Sequence, residues 1–194
     1  MMPIEELIAS RRSVRDYQTQ SVPKALIQKV IDAGIWAPSS MNRQPWRFVV
    51  VTQEEARKTL SEEAKQSLLA FLNTHAALEQ YGKDALERFK KRAESEEDTI
   101  FYDAPVVIMV IQTKDVGNQF DYGLAVENML LCAHGNGLGM CPIGLATPLS
   151  QSEAAREMFH LQPEEKVIIG LCLGYPNDAP EKTERHTDVV EWVE

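Results

Sequence analysis

The chain has 194 residues, 44% hydrophobic and 25% charged, and carries a net charge of −9, with 29 Asp and Glu against 20 Lys and Arg. That length suits one domain with a sizeable core, and the acidic balance argues against a general nucleic-acid binder, which needs a broad basic face. No apolar run approaches the roughly 20 residues that span a bilayer, the longest being Val106 to Ile111, and the acidic, amphipathic start MMPIEELIAS is unlike a secretion signal.

In chain order, Ile4, Leu7 and Ile8 share one face of a short helix over 3–9, and RRSVRDY (11–17) follows it. Ser21 stands as an N-cap candidate two residues before Pro23, and Leu26, Ile27, Val30, Ile31 and Ile35 form a helical stripe. APSSMNRQPW (37–46) reads as a loop and RFVVVT as a strand. Residues 54–98 read as two charged helical segments, broken near Thr74–His75 and Gly82, whose apolar cluster Leu68, Leu69, Phe71 and Leu72 must cover something. APVVIMVIQ (104–112) is apolar throughout, as a strand buried on both faces is. Gln119 to Ala133 is a long buried helix, and GNGLGMCPIGLA passes through glycines into a short strand. Gln151 to Phe159 is a further helix, EKVIIGLCLGYP a third central strand, and the tail from Asn177 is polar until VVEWV. Strands and helices alternate irregularly, which predicts an α+β fold with a mixed central sheet flanked by helices, one domain over 1–194.

Cys132, Cys141 and Cys172 are odd in number and form no CxxC, which reads as buried structural thiols in a reducing cytoplasm. His75, His134, His160 and His186 show no metal-ligand spacing, so no metal is expected. What stands out is positive charge: Arg11, Arg12 and Arg15 fall within five residues of an acidic chain. A solvated basic turn is one reading; a bound anion is the other. Neither common phosphate device is present. GxxxxGK[ST] is missing, and Gly135, Gly137 and Gly139 have the wrong spacing for a dinucleotide fingerprint and follow a helix rather than a strand. If residues 11–15 run extended, Arg11, Ser13 and Arg15 project to one side over about 13 Å at ~3.3 Å per residue. That order offers a guanidinium for phosphate, a hydroxyl for a polyol chain and a second guanidinium for an electron-rich ring, with Arg12 adding to the phosphate end. A flavin mononucleotide presents its parts in this order.

RRSVRDY, APSSMNRQPWRFVVV, GLGMCPIGLA and KVIIGLCLGYP together resemble the FMN-dependent nitroreductase family in order and spacing, over nearly the whole chain. The resemblance implies an intertwined α+β homodimer with FMN sites built across the interface. It implies that Arg11, Arg12, Ser13 and Arg15 hold phosphate, ribityl chain and pyrimidine edge. Pro38, Ser39, Ser40 and Asn42 would reach in from the partner chain, with Gln44 and Pro45 shaping that loop and Trp46 packing. Pro142, Ile143 and Gly144 match the turn along the ring near N5, where Gly144 leaves no carboxylate. Lys182 and Arg185 are the candidates for the C-terminal basic residue that meets the phosphate, diluted by Glu184 and His186. Gln66 and Asn73 are the polar candidates for a ring contact, and Phe71, Phe101 and Tyr102 for a pocket wall, with core packing the alternative. Residues 54–98 would form a variable lid and 177–194 an arm crossing to the other subunit, against a helix or strand packed on its own chain.

The activity so implied is ping-pong reduction of nitroaromatics, quinones or similar small electrophiles, with NAD(P)H as the co-substrate. No side chain is assigned as an acid or base; Arg15 and Gly144 would tune the flavin. Dehalogenation, ene reduction, flavin breakdown and non-catalytic flavin carriage are the alternatives, and the same arginines could hold a non-flavin phosphate. Nothing in the residues names the oxidant or chooses between NADH and NADPH.

Overall fold

The computed structural model describes residues 3–113, 117–178 and 180–194; Met1, Met2 and Ala179, which fall in the expected start and arm, lie outside them. The fold is organised by the apolar strand. Residues Val106–Gln112 (β2) are buried without exception, because the strand has a neighbour on both edges and helices on both faces. Its edges pair with Trp46–Val51 (β1) and Lys166–Gly174 (β4), and β4 pairs in turn with Gly139–Ile143 (β3), giving the order β1-β2-β4-β3.

Successive β2 side chains point to opposite faces. Val107, Met109 and Ile111 enter one core with Leu60, Leu68 and Phe101, while Val106, Ile108 and Val110 enter the other with Val30, Ala125 and Met129. Helices Lys24–Ile35 (α2) and Gln119–Gly135 (α6) supply the second core; Glu54–Leu72 (α3) and Lys83–Ala93 (α5) close the first. The fold is therefore α+β, a sheet between helical layers. Among the described residues all four strands pair antiparallel, and the parallel pairing is a single bridge, Ser13 to Met140.

Local details differ from the sequence reading in three places. Ser21 is not a cap: α2 begins at Lys24 after Pro23, whose fixed φ starts the helix without a side-chain bond. Both expected breaks in 54–98 occur, but they separate three helices, with His75–Tyr81 (α4) between α3 and α5. The Thr74 hydroxyl caps α4 by accepting from Ala77 N at 3.3 Å, and Gly82, at φ 73°, turns the chain into α5. From Pro180 on, the described tail forms neither helix nor strand and leaves Val189, Val190, Trp192 and Val193 exposed. Among the described residues no helix is long and apolar enough to cross a membrane.

Candidate functional site

The first helix, Ile4–Ser10 (α1), ends at Arg11, where the backbone turns extended at φ −59° and ψ 136°. The following residues then lie along the free edge of β3. Ser13 bridges Met140, Val14 N donates to Met140 O at 3.1 Å, and Tyr17 bridges Pro176. Val14 is buried against Gly139, and the Tyr17 hydroxyl, its pKa driven far up by burial, donates to Val14 O at 2.6 Å. With Val14 turned inward, Arg11, Arg12 and Ser13 remain half-buried and Arg15 is exposed. The extended reading of RRSVR holds.

Arg11 and Arg12 line a cavity of about 370 Å³ together with Ser10, His134, Gly137 and Lys182. Arg12 is braced by its own backbone, Nη1 donating to Ala9 O at 2.8 Å and Arg11 O at 2.7 Å. Arg11 Nε lies 3.5 Å from Glu127 Oε1, yet makes no hydrogen bond there. The Nε atoms of both arginines are buried without a hydrogen-bond partner among the described residues. Buried N–H donors normally find acceptors, so Arg11 and Arg12, with Lys182 on the same cavity, are residues that could hold an oxygen-rich anion. The His134 imidazole sits in the last turn of α6 with Nε2 2.8 Å from Ser10 Oγ. Burial, then Arg11 and Arg12, hold its pKa below the ordinary histidine value.

At the other end of the segment, Arg15 and Ser13 adjoin Cys141, whose thiol is pushed up by burial and drawn down by those two neighbours. Cys141 faces Cys172 across β3 and β4, and all three cysteines are free. Pro142 is half-buried and Ile143 buried, whereas Gly144 is exposed and a Cβ built on it would meet nothing within 4 Å.

The loop 38–44 is tightly fixed although exposed. Ser40 N donates to the buried Asp121 carboxylate at 3.0 Å, and Gln44 N donates to Ser39 Oγ at 2.9 Å. Asn42 Oδ1 accepts from Gln44 Nε2 at 3.1 Å, and Met41, Asn42 and Gln44 all take positive φ, between 48° and 55°. Left-handed non-glycine residues cost roughly 1–3 kcal/mol each and persist where surrounding structure imposes them. Asp121 anchors the start of this loop at Ser40 N while closing the α6 capping box with Asn118.

Of the residues selected from sequence, the structure brings Arg11, Arg12 and Lys182 to one cavity. Ser13, Arg15, Pro38, Ser39, Ser40, Asn42, Gln44, Pro142, Ile143, Gly144 and Arg185 do not line it. Arg185 bonds Thr183 on the exposed tail, and Trp46 is buried in the core. Gln66 and Phe71 line a separate cavity of about 690 Å³ with Pro148, Asn73 ends α3, Phe101 is core, and Tyr102 lies 5.5 Å beneath the Arg92 guanidinium. A groove of about 760 Å³ along α3 holds none of the selected residues, and its Lys65 is paired with Glu62 at 2.9 Å. Ser10 and His134 went unselected; the signal for His134 was its place in the last helical turn before glycines leading into β3.

The chain belongs to the nitroreductase family, whose model matches residues 8–175. A Methanothermobacter thermautotrophicus protein provisionally named an NADH dehydrogenase/NAD(P)H nitroreductase is 29% identical over 185 residues, 92% of this chain and 80% of its own. The iodotyrosine deiodinase of Thermotoga neapolitana is 26% identical over 194 residues, 99% of this chain and 98% of its own. The crystal structure of a Bacteroides fragilis nitroreductase with bound FMN shares the fold at TM-score 0.83 and 23% identity, all of both chains being covered.

Proposed function

We propose that this chain is an FMN-dependent oxidoreductase of the reducing cytoplasm that takes electrons from NAD(P)H and passes them to nitroaromatics, quinones or similar small electrophiles. The observation that carries the reading is the Arg11–Arg12–Lys182 cavity, where the Nε atoms of both arginines are buried without a hydrogen bond and Arg11 has only the Glu127 carboxylate at 3.5 Å. A phosphate monoester fits that chemistry: it brings a charge of about −1.5 to −2 and three acceptor oxygens. The cavity's volume admits the phosphate end of a nucleotide, leaving a ring to lie towards Arg15 and the open space at Gly144. Bound FMN would supply two-electron hydride chemistry.

The protein's own part is positioning and electrostatics. Arg11 and Arg12 anchor the anion and Lys182 closes over it. Ser13 presents a hydroxyl to the polyol chain. Arg15 places a fixed positive charge where a reduced ring gathers negative charge, which favours reduction. The small, exposed Gly144 leaves room for hydride donor and acceptor to use one face in turn. In this reading the chain works as a homodimer, 1–194 forming one domain with 54–98 as lid and 177–194 as arm. Support comes from Trp36, Met41, Phe120, Val189 and Trp192, large apolar side chains left exposed on the single chain. Pro38, Ser39, Ser40, Asn42 and Gln44, fixed in position but outside the cavity, would serve the partner's flavin.

The deiodinase likeness over essentially the full length favours a second reading, reductive dehalogenation at the same site. Turnover separates the two. NAD(P)H oxidation with a nitrobenzene or a benzoquinone supports the first, halide release from an iodophenol supports the second, and failure of all three acceptors would refute both.

A further inference from the structure

His134, in the last turn of α6, lines the cavity proposed for the phosphate. Its imidazole shares the cavity with Arg11, Arg12 and Lys182, and its Nε2 is tied to Ser10 Oγ at 2.8 Å. The charged groups around it are Arg11 and Arg12 from the segment after α1 and Lys182 from the tail. On its own helix, Glu127 already engages Arg11 at 3.5 Å. With the cavity empty, a proton on His134 is opposed by burial and by the two guanidiniums. A dianion among those guanidiniums reverses the balance, and the C-terminal end of α6 favours a cation there as well.

We propose that His134, held by Ser10, is a proton-coupled phosphate ligand: as the flavin phosphate enters, the imidazole takes up a proton from solvent and becomes a cation of the cradle. Protonated Nε2 then donates to Ser10 Oγ, whose own hydroxyl hydrogen is directed at Leu7 O at 3.4 Å, so Ser10 holds the charged ring in place beside the anion. The bookkeeping is one proton gained per FMN bound and one released on dissociation, with no bond broken. This inference rests on the FMN reading above and adds a pH dependence of cofactor retention to it.

The sign follows from linkage. Affinity is highest where His134 is protonated in both states and falls as pH rises through the value of the occupied site; a rise of one pKa unit on binding weakens affinity by about tenfold across that span. The phosphate's own second ionisation, near pH 6, is common to every variant and cancels in comparison. Apoprotein titrated with FMN, followed by quenching of flavin fluorescence between about pH 5 and 9, a window that opens below the ordinary histidine value, is the test. The wild type should lose about tenfold more affinity over this range than His134→Gln. His134→Lys, a cation at every pH in the range, should bind with the flat profile of His134→Gln but more tightly. Riboflavin, which has no phosphate, should bind wild type and His134→Gln with the same pH profile. Identical FMN profiles for wild type and His134→Gln, with both proteins binding, would overturn the inference and leave the cofactor reading standing. Failure of the wild type to bind FMN at any pH would overturn both.

Discussion

Val14 and Gly139 meet with no room for another carbon between them: a methyl added at Gly139 would fall 2.5 Å from Val14 Cγ2. This contact lets the segment carrying Arg11, Arg12 and Ser13 lie flat on β3, so the position of the arginines depends on a missing side chain on the strand. Gly139→Ala must push the segment outward. Overpacking of this kind costs about 1–3 kcal/mol. The expected outcome is a lower denaturant midpoint together with weaker FMN binding, read by chemical unfolding and flavin fluorescence. Loss of stability with unchanged FMN affinity would separate the contact from the site.

Arg15 is exposed beside Cys141, at the end of the segment away from the phosphate cavity. On the proposed reading it stabilises charge on the reduced ring and does not anchor the cofactor. Arg15→Ala should therefore retain FMN, lower its reduction potential and slow reduction by NAD(P)H by about tenfold or more, the effect of losing a charged hydrogen bond of about 1.5–3 kcal/mol. Potentiometric titration and anaerobic stopped-flow spectroscopy check both quantities.

The tail leaves Val189, Val190, Trp192 and Val193 exposed on the single chain, a run of apolar surface that a stable protein covers. On the proposed dimer reading, deleting residues 187–194 should convert dimers to monomers and leave a protein that loses flavin on gel filtration. Light scattering coupled to the flavin absorbance follows both changes in one run.

The Arg47–Glu165 pair, 2.6 Å from Nη2 to Oε2, ties β1 to the turn before β4, where the Glu165 carboxylate also accepts from Gln162 N at 3.1 Å. The hydrogen bond from Arg47 holds the Glu165 carboxyl below the ordinary glutamate value. A carboxyl depressed in the folded state contributes stability that is fully present above its unfolded value and is lost as pH falls through the folded one. Glu165→Gln should cost about 2 kcal/mol at neutral pH, as losing a hydrogen bond between charged groups does. Unfolding curves for wild type and variant should converge as pH drops through the acid range.

Much of this was readable from the residues. The unbroken apolar run of β2 announced a strand buried on both faces, and RRSVR, with buried Val14 inside it and buried Tyr17 two residues after it, ran extended as its pattern required. Gly137, at φ 75°, turns the chain where the glycines after α6 suggested. Other features were not readable because they depend on partners far apart in sequence. Ser10 and His134 stand 124 residues apart, and nothing local to either marks the pair. Asp121 looks like an ordinary N-terminal helix residue, yet its carboxylate fixes the loop at Ser40, 81 residues away. The strand order was hidden for the same reason: apolar content says that β2 and β4 are central, but not that each antiparallel neighbour comes from across the chain. The helix count in 54–98 turned on whether seven residues between two breaks suffice for a helix of their own, which the Thr74 cap decides.

The central claim is that the arginine cavity holds FMN and that the bound cofactor exchanges electrons with a nicotinamide. The absorbance spectrum of the purified protein, followed by anaerobic titration with NADPH and NADH, tests it most directly. The account predicts flavin bands that bleach with one equivalent of reductant. A colourless protein that cannot be reconstituted with FMN would contradict it and return Arg11, Arg12 and Arg15 to a solvated basic turn.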